Sequence, residues 1–119
     1  MSVETGSARM DAQLFIGGQW VDGEAGVLDN VDPGTGEAVG QVGLGTPDQI
    51  AAAVDAAAAA FPAWSATLPS ARGAILVRAA NLLAERVEEA VATILLETGK
   101  TETDARGEIA RAVATWRWN

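Results

Sequence analysis

From Ile50 to Ala63 the chain is almost continuously apolar, broken only by Asp55 and Pro62, and most of the stretch is alanine. That feature limits the fold more than any other. Apolar burial stabilises by about 25 cal/mol per Å², and an alanine has little area to bury. Of the 119 residues 49% are apolar, yet only 5% are aromatic, namely Phe15, Phe61, Trp20, Trp64, Trp116 and Trp118. A chain of this length builds one ordinary domain at most. With so lean a core it is expected to gain more than usual from packing against another surface. The same stretch is too short and too alanine-rich to span a bilayer.

The net charge of −8 speaks against nucleic acid and anionic membranes as partners. Its distribution is uneven. Up to Asp48 there are eight acids and one base, Arg9, whereas from Gln49 onward eight acids face seven bases, the mixture expected of solvated helix faces. Cysteine and histidine are both absent. This removes disulfides, thiol nucleophiles and Ser-His-Asp arrangements from consideration. Met1 to Asp11 is polar with no apolar core segment, so it is not a secretory signal. The chain is expected to be soluble and cytoplasmic.

Residues 1–12 are expected to form a disordered lead-in. Leu14-Phe15-Ile16 and Gln19-Trp20-Val21 flank Gly17-Gly18, a pair suited to a two-residue hairpin turn with positive φ. Val27 to Val31 and Ala38 to Val42 flank Asp32-Pro33-Gly34-Thr35-Gly36, which is dense in turn formers. The period then changes. Thr46-Pro47-Asp48-Gln49 has capping-box spacing, and Ile50, Val54, Ala57 and Phe61 follow on one helical stripe, with Phe61-Pro62 expected to end the helix. Pro69 opens a second helix with the stripe Ile75, Ala79, Leu82, Leu83. A break at Arg86-Val87 precedes the stripe Val87, Val91, Ile94, Leu95, and Gly99 stops that helix with Lys100 beside its negative end. A last helix carries Ala105, Ile109, Ala112, Val113 and Trp116, and its pattern is still running where the sequence stops.

The search for chemistry returns little. Glu85, Glu88 and Glu89 surround Arg86 and fit a solvated face better than a metal site. Ser65 and Ser70 suit turn and cap roles. Gly43-Leu44-Gly45 precedes a helix, but Asp48 stands where a third glycine of a dinucleotide-binding turn would fall, and its carboxylate would repel a pyrophosphate. Glu102 and Arg106 lie at i, i+4 as a surface ion pair. No self-sufficient active site is present in the sequence.

Together the blocks resemble a known family. Leu14 to Gly23 resembles the opening hairpin of the aldehyde dehydrogenase superfamily. Val31-Asp32-Pro33-Gly34-Thr35-Gly36-Glu37 resembles its Val-Asn-Pro turn, with Asp32 in place of the usual asparagine. Ile50 to Trp64 is similar to its first helix and the Phe-x-x-Trp that follows. Arg72 to Leu83, Glu97-Thr98-Gly99-Lys100 and Ala105 to Ile109 match three further blocks in the same order, with Thr101 where proline is common.

The resemblance implies an α/β parent fold in which this segment supplies N-terminal β-hairpins followed by about four α-helices. Residues 13–119 would then be the incomplete N-terminal part of a dinucleotide-binding domain. It implies an enzyme that oxidises an aldehyde to a carboxylic acid with NAD or NADP, working as a homo-oligomer. The family's catalytic cysteine, glutamate and asparagine and its cofactor-binding lysine and glycine turn fall beyond residue 119, and Asn119 comes too early to be that asparagine. No catalytic or cofactor-binding residue is therefore assigned, and no cofactor is expected on this chain alone. A structural monovalent cation in the family maps to the Val31 carbonyl and to Glu97, which also reads as a helix-end glutamate near Lys100. Two roles follow. The chain is an inactive N-terminal fragment whose partner is the remainder of the dehydrogenase, or it is a stand-alone, non-enzymatic remnant or module that docks on full-length subunits.

Overall fold

A computed structural model describes residues 11–118; residues 1–10, most of the expected lead-in, and Asn119 lie outside the described residues. The order of elements is β1 (Leu14–Ile16), β2 (Gln19–Val21), β3 (Val27–Val31), β4 (Ala38–Gly43), α1 (Pro47–Ala66), α2 (Pro69–Glu85), α3 (Val87–Thr98) and α4 (Glu102–Trp118). The chain divides into two units, Met1–Ala59 and Ala60–Asn119, with the boundary inside α1.

The first unit is built from two antiparallel hairpins. In the first, Gly17 and Gly18 take φ of 59° and 83°, the positive values that a tight two-residue turn demands and glycine supplies without strain. Phe15 pairs with Trp20 across the strands, and their ring centroids lie 4.8 Å apart. In the second hairpin, β3 and β4 are joined by the turn at Asp32. The Asp32 carboxylate accepts the Gly34 N–H at 2.7 Å, and the Gly36 N–H donates to the Asp32 carbonyl at 2.8 Å. An asparagine oxygen can accept the same bond, so the departure from the family's Val-Asn-Pro pattern leaves the turn chemistry unchanged.

The start of α1 is the reciprocal cap that its spacing predicts. The Gln49 N–H donates to Thr46 Oγ1 at 3.2 Å, and the Thr46 N–H donates to Gln49 Oε1 at 3.1 Å. Gln49 also accepts the Glu24 N–H and donates to the Asp22 carbonyl, which ties the loop after β2 to the head of the helix. Gly23 in that loop lies against β4. A Cβ there would fall 2.4 Å from the Leu44 nitrogen and 2.5 Å from its carbonyl oxygen, so the approach requires a glycine. Ala12, at the end of the expected lead-in, bridges to β4 through bonds with Gln41 and Gly43.

The second unit is a helical assembly in which α2 and α3 pack against α4. Its core is Ala80, Val91, Ala105, Ile109 and Val113, with Leu83, Val87, Ala90, Ile94 and Leu95 packed around it. The stripes expected for α3 and α4 turn inward except at Trp116, which is 41% exposed. The α2 stripe differs. Leu83 packs on the core, but the fully buried residue is Ala80, while Ile75 and Leu82 remain exposed at 43% and 59%. Alanine at the contact lets the backbones of packed helices come close, and the larger side chains of the helix then project elsewhere.

Pro62 does not end α1, which runs on to Ala66. The missing proline N–H costs one helix bond, but the end of the helix is held by side chains further on. Ser65 Oγ donates to the Pro62 carbonyl, and Thr67 Oγ1 donates to that of Ala63. Arg72 reaches back from α2 to the carbonyls of Thr67 and Ser65 at 2.6 and 3.2 Å. The remaining boundaries follow the sequence: Pro69 at the start of α2, the break at Arg86, and Gly99 at φ 65° in the left-handed conformation that closes α3.

Gly23→Ala is expected to lower stability by about 2 kcal/mol or more, because the backbone of Leu44 must move. Gly107→Ala, in α4 where nothing lies within 4 Å of the added carbon, is expected to raise it by roughly 0.5–1 kcal/mol. Urea midpoints of the two variants should therefore shift in opposite directions; an unchanged midpoint for Gly23→Ala would show that the loop is not held as described.

Candidate functional site

The glycine run before α1 is the natural place to look for a phosphate cradle, since such a cradle needs free backbone N–H groups. Here three of those groups are engaged. The Gly43 N–H donates to the Ala12 carbonyl, the Leu44 N–H to the Gly26 carbonyl, and the Thr46 N–H to Gln49 Oε1. A Cβ on Gly45 would meet the Leu14 side chain at 3.3 Å. The run is a strand end and helix cap packed on its own unit, and it does not fit a dinucleotide. Ser65 takes a structural role, bonded within the last turn of α1, and Ser70 lies in the first turn of α2.

Val31 ends β3 beside a register shift and pairs with Ala38, and Glu97 lies in the last turn of α3, exposed and with interactions of its own. The two belong to different units. Their oxygens are of the type that hard cations take, but two donors are too few for a coordination shell. Among the described residues no group of three or more His, Cys, Asp or Glu side chains is placed to hold a metal ion.

The charged side chains of the second unit form ion pairs. Arg106 on α4 grips Glu88 of α3 through two bonds of 2.7 and 2.8 Å, and also holds Glu102 one turn earlier on its own helix. The Arg106 hydrogen bond holds the Glu88 carboxyl below the usual carboxylate range, and the two glutamates push the Arg106 guanidinium upward. Arg86 binds Glu89 at 2.5 and 2.9 Å and lowers it in the same way. Lys100 pairs forward with Glu108 of α4 at 2.5 Å, while the end of α3 is closed by the Gly99 N–H. The glutamates around Arg86 thus take the solvated role expected of them.

Exposed apolar surface is what remains. Ile75 and Leu82 lie seven residues apart, so they share one side of α2, and they are 43% and 59% exposed; Leu68, just before the helix, is 70% exposed. An open groove of about 440 Å³ runs beside Leu82, lined by Leu83, Ala90, Ile94 and Ile109 with Arg86 and Glu89 among its lining residues. No residue of α1 is buried, and Ile50, Val54 and Phe61 stand exposed along it. The Phe15–Trp20 pair lies exposed on the first hairpin. This arrangement offers several faces suited to packing against a partner.

Comparison with known proteins agrees with this picture. A family model described as the aldehyde dehydrogenase family matches residues 20–119. The chain is 44% identical over 102 residues to N-succinylglutamate 5-semialdehyde dehydrogenase of Burkholderia mallei, covering 86% of this chain and 21% of that protein. It is 36% identical over 109 residues to malonate-semialdehyde dehydrogenase of Bacillus pumilus, covering 88% and 22%. An NAD-dependent aldehyde dehydrogenase from Sinorhizobium meliloti superposes with a TM-score of 0.88 at 32% identity, over 94% of this chain and 23% of that one. The chain thus spans about a fifth of the length of the relatives it matches.

The pairing of Arg106 with Glu88 has a pH signature. Because Glu88 titrates lower in the folded chain than when unfolded, its contribution is present above the ordinary glutamate pKa and disappears as pH falls through the depressed value. Arg106→Met should melt at a lower temperature than the parent at neutral pH, with the gap closing in acid. A gap of constant size at every pH would assign the loss to packing alone.

Proposed function

The chain belongs to the aldehyde dehydrogenase family, and from that premise we propose that it is the N-terminal segment of an NAD(P)-dependent enzyme that oxidises an aldehyde to a carboxylic acid. In this reading residues 13–119 are the incomplete first part of the dinucleotide-binding domain. They contribute packing surface, while the nucleophile and the cofactor-binding turn come from later sequence. The observation that carries the reading is the exposed apolar surface on α1 and α2, in a chain that is itself 86–94% covered by relatives several times longer. The glycine run, whose Gly43 and Leu44 N–H groups bond within its own unit, supports the same division of labour, because it leaves cofactor binding to other residues. The 119 residues alone should show no dehydrogenase activity.

The test is the intact mass of the protein as its native source makes it, followed through the peptide from Gly73 to Arg78. A mass several times 12.2 kDa supports the reading, and the purified protein should then reduce NAD or NADP with an aldehyde. A mass of 12.2 kDa would sink it and favour the stand-alone module that docks on full-length subunits. Fractionation and sizing of the same material check the cytoplasmic, homo-oligomeric setting that belongs to the proposal. Among the described residues no single helix is long and apolar enough to cross a membrane.

The reading also keeps the Val31 carbonyl and the Glu97 carboxylate as two ligands of a structural monovalent cation in the longer enzyme. Their oxygen chemistry supports this, with the remaining ligands supplied by water or later residues. The longer enzyme should then melt higher in potassium chloride than in choline chloride, and Glu97→Gln should shrink the difference. Equal melting in the two salts removes the cation from the proposal.

A further inference from the structure

The β3–β4 hairpin has one side occupied and one side open. On the β4 side, the Gly43 N–H donates to the Ala12 carbonyl at 2.9 Å, and the Ala12 N–H donates to the Gln41 carbonyl at 2.8 Å. The backbone groups of Gly43 and Gln41 therefore point away from β3. Their register partners are Val27 and Asp29. In an antiparallel ladder such pairs exchange no bonds, so the N–H and C=O groups of Val27 and Asp29 point outward from β3 as well. Among the described residues no strand pairs with that edge. The side chains along it, Val27 and Leu28, are more than half exposed. An edge of this kind is a template for one more strand.

Charge says what kind of strand. Residues 11–59 hold eight acids, Asp11, Asp22, Glu24, Asp29, Asp32, Glu37, Asp48 and Asp55, and not one lysine or arginine. Every cation among the described residues lies at Arg72 or beyond. A second copy of β3 fits badly, since antiparallel pairing about the strand centre sets Asp29 against Asp29. We infer that the outer edge of β3 receives an extended segment bearing lysine or arginine, contributed by the part of the same dehydrogenase polypeptide that lies outside these 119 residues. The segment adds through the backbone groups of Val27 and Asp29 and sets a cation beside the Asp29 carboxylate. The inference rests on the fragment reading for the source of the strand. The preference of the edge for a basic strand stands on this chain's own charges.

The edge is tested on the 119-residue chain with two acetylated pentapeptides, Thr-Val-Lys-Val-Thr and Thr-Val-Glu-Val-Thr. The lysine peptide should shift and protect the amides of Val27 and Asp29, and should bind about tenfold more tightly than the glutamate peptide. Asp29→Pro removes an N–H that β4 does not use, together with one exposed side-chain bond from Gln41 Nε2, so the hairpin should persist by circular dichroism while the peptide effect disappears. Asp29→Lys should weaken the lysine peptide and strengthen the glutamate peptide. Equal binding of the two peptides, or no protection at Val27 and Asp29, overturns the inference. The source of the strand is read in the longer native protein, where the same two amides should exchange slowly without peptide; fast exchange there overturns it. A native mass of 12.2 kDa removes the fragment reading and this source with it, whereas the peptide titration still reports on the edge itself.

Discussion

The helical unit depends on a core whose two fully buried residues are alanines. Ala80 and Ala105 are each 0% exposed, and around them sit only Val91, Ile109 and Val113 as further buried apolar residues. Small side chains at a helix contact permit a close approach of the backbones, but they bury little area, and each buried methyl group contributes little. Ile75 and Leu82 on α2 are then left exposed, while Leu83 and Ile109 pack on the core. The shortage of buried area is a property of the composition, and the exposed faces of α1 and α2 are its structural expression.

What holds the chain outside that core is polar and local. Gln49 closes the head of α1 and reaches the loop at Asp22 and Glu24. Arg72 closes the far end of the same helix from α2, and Arg106 ties α4 to α3. Each acts by satisfying backbone groups or carboxylates that would otherwise be left to water. Where apolar burial is thin, these bonds decide which turns and helix ends persist.

Much of this could be read from the sequence, because it rests on short-range chemistry. Gly17-Gly18, Thr46 with Gln49, and Gly99 each signal a backbone geometry within a few residues, and all three are found in place. Pro62 misled because the local rule was overridden by hydroxyls and a guanidinium from later positions. The α2 stripe is right at Leu83 and wrong at Ile75 and Leu82, because periodicity reports which residues share a side and not which of them meets a neighbour; an alanine, Ala80, takes the buried position. Gln49 was legible as a cap, but its bonds to a loop more than twenty residues earlier were not, and Gly23 gave no sign of the backbone pressed against it. For the candidate site, Asp48 argues against a phosphate loop on charge, and the structure adds a separate reason, that the Gly43, Leu44 and Thr46 N–H groups already have acceptors. The distance-dependent part, whether Val31 and Glu97 come together, was never within reach of sequence pattern.

The segregation of charge has a practical consequence for anyone following this protein by digestion. Trypsin cuts after lysine and arginine, and between Arg9 and Arg72 there is neither. The hairpins and the whole of α1 therefore leave as one long fragment, residues 10–72, whatever their conformation. Between those two sites protection from trypsin reports nothing, and the hairpins could unfold without any cut inside residues 10–71. Proteomic coverage will likewise come from Gly73 onward, so a protease specific for acidic residues is the one that makes the first unit visible.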